Sequence, residues 1–327
     1  MGSIIETVLL LALPASGKSE LRRYLDLLPP KECESRYHLG PTAQLDDYPY
    51  VHLMRVIDDS LADAGEERRF FEAPDRGFAD PVDWETLIAL VNEDYSDMAA
   101  GRRRSPEAPA SWMLQRIDRA REAVGANPAL AGLTKDAVGA IERAITGEVE
   151  ELVSEWNRLL PQSLDGKTVV IEFARGGPAG SGCPLPEHFG YLASLKRLSA
   201  EILERASILY VWVTPEQSRA KNLERARPDA DGSILFHGVP EHVMRNDYGC
   251  DDIGWLLEHS DHPGTARIES RGRTFHVPAA RFDNRTDLTT FLRGEKSAWE
   301  SNLLHDLETG LGQAFGHLWK NYAANHR

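Results

Sequence analysis

Lys18 and Ser19 close the stretch Ala12-Leu13-Pro14-Ala15-Ser16-Gly17-Lys18-Ser19, which reads as a phosphate-binding loop with Ala12 in place of the first glycine. In such a loop, successive backbone N–H groups wrap a phosphate chain and the adjoining helix adds positive potential at its N-terminus. Pro14, Ala15, Ser16, Gly17 and Glu20 therefore join Lys18 and Ser19 as expected nucleotide contacts. Lys18 would reach the β- and γ-phosphates, and the Ser19 hydroxyl would ligate Mg²⁺. A second cluster, Gln44-Leu45-Asp46-Asp47-Tyr48, offers a carboxylate that can take a proton from an attacking hydroxyl. Asp46 is the first choice for that base, and Asp47 and Tyr48 join it as expected substrate contacts. A third cluster ends the apolar run Val169-Val170-Ile171-Glu172-Phe173-Ala174-Arg175. An acid at the end of a buried strand needs a partner. Hydrated Mg²⁺ is one candidate for Glu172 and an ion pair with Arg175 is another; Arg175 is also a candidate for holding substrate or phosphate. Arg219, Lys221, Arg225 and Arg227 come after Pro215 and suit a lid that closes over transferring phosphate, because each guanidinium fork binds two oxygens. Interleaved Glu216 and Glu224 fit a solvated helix face equally. Asn284, in Phe282-Asp283-Asn284-Arg285, lies in a loop expected near a nucleotide base, and the same residues also make an ordinary Asx-capped turn.

These residues need a scaffold that gathers them at one edge. Ile4–Leu13 is an apolar, β-branched run ending at the Pro/Gly turn, which predicts a buried parallel strand and then a helix to about Leu28, stopped by Pro29-Pro30. A short strand is expected within Arg36–Asp46, and further strands at Thr168–Phe173, Ser207–Thr214 and Arg273–Phe282. Between residues 51 and 164 the pattern is largely helical, with helices at Val82–Ala99, Ser111–Val124 and Thr134–Leu160. Tyr191, Leu195, Leu198 and Ile202 mark another amphipathic helix. The alternation argues for an α/β fold, a parallel sheet of about five strands flanked by helices. Residues 1–50 and 165–295 would form the core, 51–164 a helical insertion capping the substrate, and 296–327 a C-terminal helix. In that helix Leu304, Leu307, Leu311, Phe315, Leu318 and Tyr322 form a stripe expected to dock on the chain's own core.

Taken together, these motifs resemble the P-loop kinase superfamily, within the nucleoside and small-metabolite kinases and nearest the nicotinamide riboside kinase and uridine kinase group. The resemblance covers Ile4–Asp47 and Lys167–Arg293. It implies a three-layer P-loop fold, ATP and Mg²⁺ as cofactors, Asp46 as base, Glu172 at the metal and a lid arginine among Arg219, Arg225 and Arg227. It implies transfer of a γ-phosphate to a hydroxyl of a small metabolite. Three departures stand out: Ala12, Phe173 where the group carries glycine, and the long helical insertion. Two other readings share the loop: a nucleotide-gated ATPase with a protein partner, and a sugar-nucleotide kinase like the zeta-type toxins.

The chain has 327 residues, 37 Lys plus Arg against 51 Asp plus Glu, and a net charge of −14. That acidity disfavours a nucleic-acid partner, which wants a basic surface. No apolar run approaches the length of a membrane span, so no membrane partner is expected. Cys33, Cys183 and Cys250 form no CxxC pair, which fits a reducing, cytoplasmic setting. Other features have plain explanations. Arg102-Arg103-Arg104 reads as a solvated loop, Asp251-Asp252 as a helix cap, and Glu241 with Arg245 as a surface i,i+4 pair. His237, His242, His259 and His262 lack metal-ligand spacing.

Overall fold

A computed structural model describes residues 4–225 and 238–325. Its centre is a six-stranded sheet: β1 (Thr7–Leu11), β2 (Thr42–Asp46), β3 (Thr168–Phe173), β4 (Ala206–Trp212), β5 (Thr265–Ser270) and β6 (Arg273–Asp283). The spatial order is β2-β3-β1-β4-β6-β5. All neighbours pair in parallel except β5 with β6. Around the sheet lie α1 (Lys18–Asp26), α2 (Pro30–Tyr37), α3 (Tyr48–Asp63), α4 (Asp83–Ala99), α5 (Pro109–Ala123), α6 (Lys135–Leu159), α7 (Gly190–Arg197), α8 (Ala200–Arg205), α9 (Pro215–Arg225), α10 (Glu241–Asn246), α11 (Ile253–Glu258) and α12 (Ser301–Asn325).

Strand alternation divides the core. Val8 and Leu10 face α1, α2 and α12, in a cluster with Leu21, Tyr37, Leu311 and Phe315. Leu9 and Leu11 face α4, α7 and α8, with Ile88, Tyr191, Leu195 and Ile202. A sheet covered on both faces is a three-layer α/β arrangement. The tail stripe docks as its spacing implies, with Leu307, Leu311, Phe315, Leu318 and Tyr322 buried.

Helices α3, α5 and α6 build a third core around Leu53, Ile57, Met113, Ile117, Ile141 and Ile145. Helix α4 is shared. Leu87 and Leu90 belong to this cap, whereas Ile88, Val91 and Tyr95 belong to the sheet's core. The cap is thus keyed into the sheet layer along one helix.

Three features differ from the sequence expectations. The sheet is mixed, because β5 adds an antiparallel edge through a two-residue turn in which Arg271 and Gly272 both have positive φ. Pro30 ends nothing alone; it sits in the first turn of α2, where proline's fixed φ is tolerated. Arg104 is not solvated: its guanidinium lies 2.5 Å from Asp94 and stacks 3.7 Å from the Trp156 ring centroid.

Candidate active site at the carboxyl edge of the sheet

Central strand β1 delivers the loop 12–17 to the carboxyl edge. The connection leaving β1 runs over one face to β2, and that leaving β3 runs over the other to β4. Such a reversal opens a crevice outside the strand ends, where ligands of open α/β sheets gather. Gly17 has φ +99°, and a Cβ there would collide with Thr289 Oγ1 and Asn284 Nδ2. Ala15 also has positive φ, while Ala12 does not, so alanine fits at position 12 without strain. The loop is braced from within, where Ser16 Oγ donates to Leu13 O at 2.7 Å. It is braced from outside by Ser218 Oγ donating to Pro14 O at 2.7 Å and Asn284 Nδ2 donating to Ser16 O at 2.8 Å.

No side chain caps α1, whose Leu21 N–H bonds Gly17 O at 3.0 Å. The earlier N–H groups face outward from the helix start, as an anion site requires. Lys18 Nζ is buried beside them, donates to Ala12 O at 3.1 Å and lies 4.0 Å from Glu172 Oε1. Burial lowers the Lys18 pKa, and the charges of Glu172, Asp46 and Asp47 oppose that shift. Ser19 sits half-buried one residue on.

The parallel register sets Asp46 of β2 beside Glu172 of β3. Burial, then the neighbouring Glu172 and Asp47 carboxylates, raise the Asp46 pKa; the Tyr48 N–H, which donates to Asp46 Oδ1 at 2.8 Å, and Arg22 pull it back. The Asp46 side chain keeps 33% of its surface exposed, so it remains reachable from the cleft. Arg22 donates to Glu172 Oε2 at 2.9 Å and lies 3.9 Å from Asp46 Oδ2. Motif reasoning misses Arg22, although the sequence carries a signal for it: it stands four residues after Lys18, on the same helix face.

Several expected site residues are engaged elsewhere. Arg175 does not partner Glu172; its guanidinium is taken up by other protein groups. It is 2% exposed and donates to Asp47 Oδ2 at 2.6 Å, Ser194 Oγ at 2.8 Å and Trp84 O at 3.2 Å. Asp47 is correspondingly buried as the counter-ion of Arg175. Asn284 is fully buried; its amide donates to Ser16 O and Thr289 Oγ1 and accepts from Leu288 N, which makes it a brace for the loop. The Glu20 carboxylate is held by Arg225 at 2.9 Å and Arg293 at 2.7 Å; against its burial, these two guanidiniums lower its pKa. Arg219 lies 3.6 Å from Glu216, and Lys221 2.8 Å from Asp287. Tyr48 is half-open at the start of α3, stacked against His52 at 6.5 Å. Arg227 and His237 lie outside the described residues.

Other polar groups are structural. Asp251 caps α11 by accepting from Ile253 N at 3.0 Å, and Asp252 caps α7 by accepting from Tyr191 N and Leu192 N. Glu241 and Arg245 pair at 2.7 Å on α10. Asp261, His262 and His276 cluster at the β5–β6 edge, but the two imidazoles stack 3.9 Å apart and 13° from parallel. In that pose their lone pairs do not converge on one ion. A cavity of about 330 Å³ opens at the amino edge of β3 and β4, lined by Tyr95, Gly101, Ser163, Leu164, Glu201 and Arg205, away from the charged crevice. Among the described residues, no helix is long and apolar enough to cross a membrane.

Comparison with protein-family models, with curated proteins and with solved structures finds no match for this chain. The functional reading therefore rests on the crevice itself.

Proposed function

We propose that this chain is a P-loop phosphotransferase that moves the γ-phosphate of ATP to a hydroxyl of a small, nucleoside-like metabolite. The observation that carries the reading is one juxtaposition. An uncapped helix N-terminus with its buried Lys18 stands at the end of the central strand, and a reachable carboxylate, Asp46, lies across Glu172 from it. The first half is an anion site suited to a triphosphate. The second half is a base suited to a hydroxyl acceptor.

The loop N–H groups and Lys18 hold the phosphate chain in this reading. Asp46 accepts the proton of the attacking hydroxyl. Arg219 and Arg225 lie on α9 beside the loop, and one of them would neutralise charge on the transferring group. Arg225 must leave Glu20 to do so. The Ser19 hydroxyl, one residue after Lys18, and the Glu172 carboxylate, 4.0 Å from Lys18 Nζ, are hard oxygen donors, a set that fits Mg²⁺. When bound there, the ion would shield the phosphate oxygens and draw off negative charge as the bond breaks. Exposed Tyr48 and cap helix α3, which starts two residues after Asp46, are surfaces available to the acceptor.

The test is ADP release from Mg·ATP with and without a panel of nucleosides and sugars. A kinase gives acceptor-dependent release, lost at least a thousandfold in Lys18→Ala while the far-ultraviolet dichroism is unchanged. Release indifferent to every acceptor, but stimulated by a protein partner, would favour a nucleotide-gated ATPase instead.

A further inference from the structure

The carboxylates of this crevice face cations before any ligand arrives. Glu172 lies against both Lys18 and Arg22, and Asp46 lies against Arg22. The neighbouring carboxylates are engaged as well. Arg175 holds Asp47, and Arg225 with Arg293 holds Glu20. A pair of carboxylates on adjacent strands would otherwise make an attractive divalent-cation site, because oxygen donors of like charge gain most from a doubly charged ion. Arg22 alters that. Its guanidinium is 2.9 Å from Glu172 Oε2 and 3.9 Å from Asp46 Oδ2, in the position from which a cation would serve both.

We infer that Arg22 is a positioning residue that stands in for the metal, keeping the Asp46–Glu172 pair closed to a free divalent ion until nucleotide phosphates engage Lys18 and Arg22. The inference rests on the proposal that Glu172 serves the metal of a nucleotide-dependent reaction. Electrostatics carries it. A bare divalent ion entering the cluster meets the Lys18 and Arg22 cations at close range, whereas a metal arriving with a polyphosphate brings anions for those two groups to bind. Arg22 is suited to this placeholder role because its side chain is 29% exposed on a helix face and can swing from carboxylate to phosphate oxygen. Metal and nucleotide then bind as one event, and the carboxylates do not collect metal alone.

The test uses Mn²⁺ as the probe, on full-length protein without nucleotide, read by electron paramagnetic resonance and by titration calorimetry. Arg22→Gln should bind Mn²⁺ about tenfold or more tightly than wild type, the order expected from removing one nearby unit charge. Arg22→Lys should stay near wild type. The double variant Arg22→Gln/Glu172→Gln should lose the gain. An Arg22→Gln affinity within twofold of wild type, or a gain that survives in the double variant, overturns the inference. Mn²⁺·ATP binding to wild type is measured in the same series. If wild type takes no Mn²⁺·ATP, the kinase reading fails whatever Arg22 does. If it does bind and Arg22→Gln leaves free Mn²⁺ affinity unchanged, only the placeholder role fails.

Discussion

In the cap, Asp94 is met by Arg104 at 2.5 Å, Arg116 at 2.8 Å and the Tyr50 hydroxyl at 2.5 Å. At the sheet edge, Asp46 is met by one backbone N–H and by a single guanidinium 3.9 Å away. Both regions put carboxylates against arginines, and the difference is how completely each charge is used. Arg116 has no exposed side-chain surface, and Trp112 and Tyr50 pack about it. Arg121 is likewise locked to Asp83 inside the cap. Such buried networks fix how helices sit. The edge cluster keeps a reachable carboxylate and a helix start with free donors, which is what chemistry on a phosphate needs. The adjacent pair Asp46 and Asp47 shows the two fates side by side, since Arg175 closes off the second and leaves the first open.

Substitutions should separate the two regions. At the edge, Asp46→Asn should lower acceptor-dependent turnover by about 10²–10⁴-fold, the range for a lost general base, with ATP affinity and melting temperature near wild type. Undiminished turnover would remove Asp46 from the mechanism. In the cap, Asp94→Ala should do the opposite. It removes the carboxylate that Arg116 and Arg104 share, leaving them only Glu93 and Asp97 as carboxylate partners, and should cost about 3–5 kcal/mol of stability in denaturant unfolding. A loss near zero would mean the cap network is not closed as drawn. The smallest effect concerns Asp247, which is 7% exposed with Oδ2 buried and unpartnered. Burial, then the Glu72 charge, push its pKa up to about 7 from the ordinary 3.8, against the pull of Arg55. The folded form therefore holds a proton that the unfolded chain gives up, so stability falls as pH rises from about 4 to about 7 and stays lower above that. Asp247→Asn should flatten that decline and stabilise the fold at pH 8, measured by unfolding across pH. An unchanged pH profile would show that Asp247 is solvated or paired.

The parallel strands and their carboxyl-edge residues were legible because they are local. Apolar β-branched runs mark β1, β3 and β4, and the Gly-Lys-Ser turn marks the helix start after β1. The antiparallel β5 was not legible. Its Thr-Ala-Arg-Ile-Glu-Ser alternation is short, and the Arg271-Gly272 turn that pairs it with β6 carries one glycine only. Partner choice was also hidden. Nothing local says that Arg175 turns to Asp47, 128 positions earlier, rather than to Glu172, or that Asn284 crosses 268 positions to hold the loop at Ser16. Arg22 illustrates the middle case. Helical spacing put it on the Lys18 face, but only the β2–β3 register brought two carboxylates to it.

Everything proposed for the crevice depends on the loop between β1 and α1 binding nucleotide phosphates through Lys18. Calorimetric titration of Mg·ATP into wild type and Lys18→Ala measures that dependence. Wild type should bind saturably, with one nucleotide per chain, and Lys18→Ala should lose that binding. Absence of binding to wild type, or equal affinity in the two proteins, would contradict the assignment of the loop.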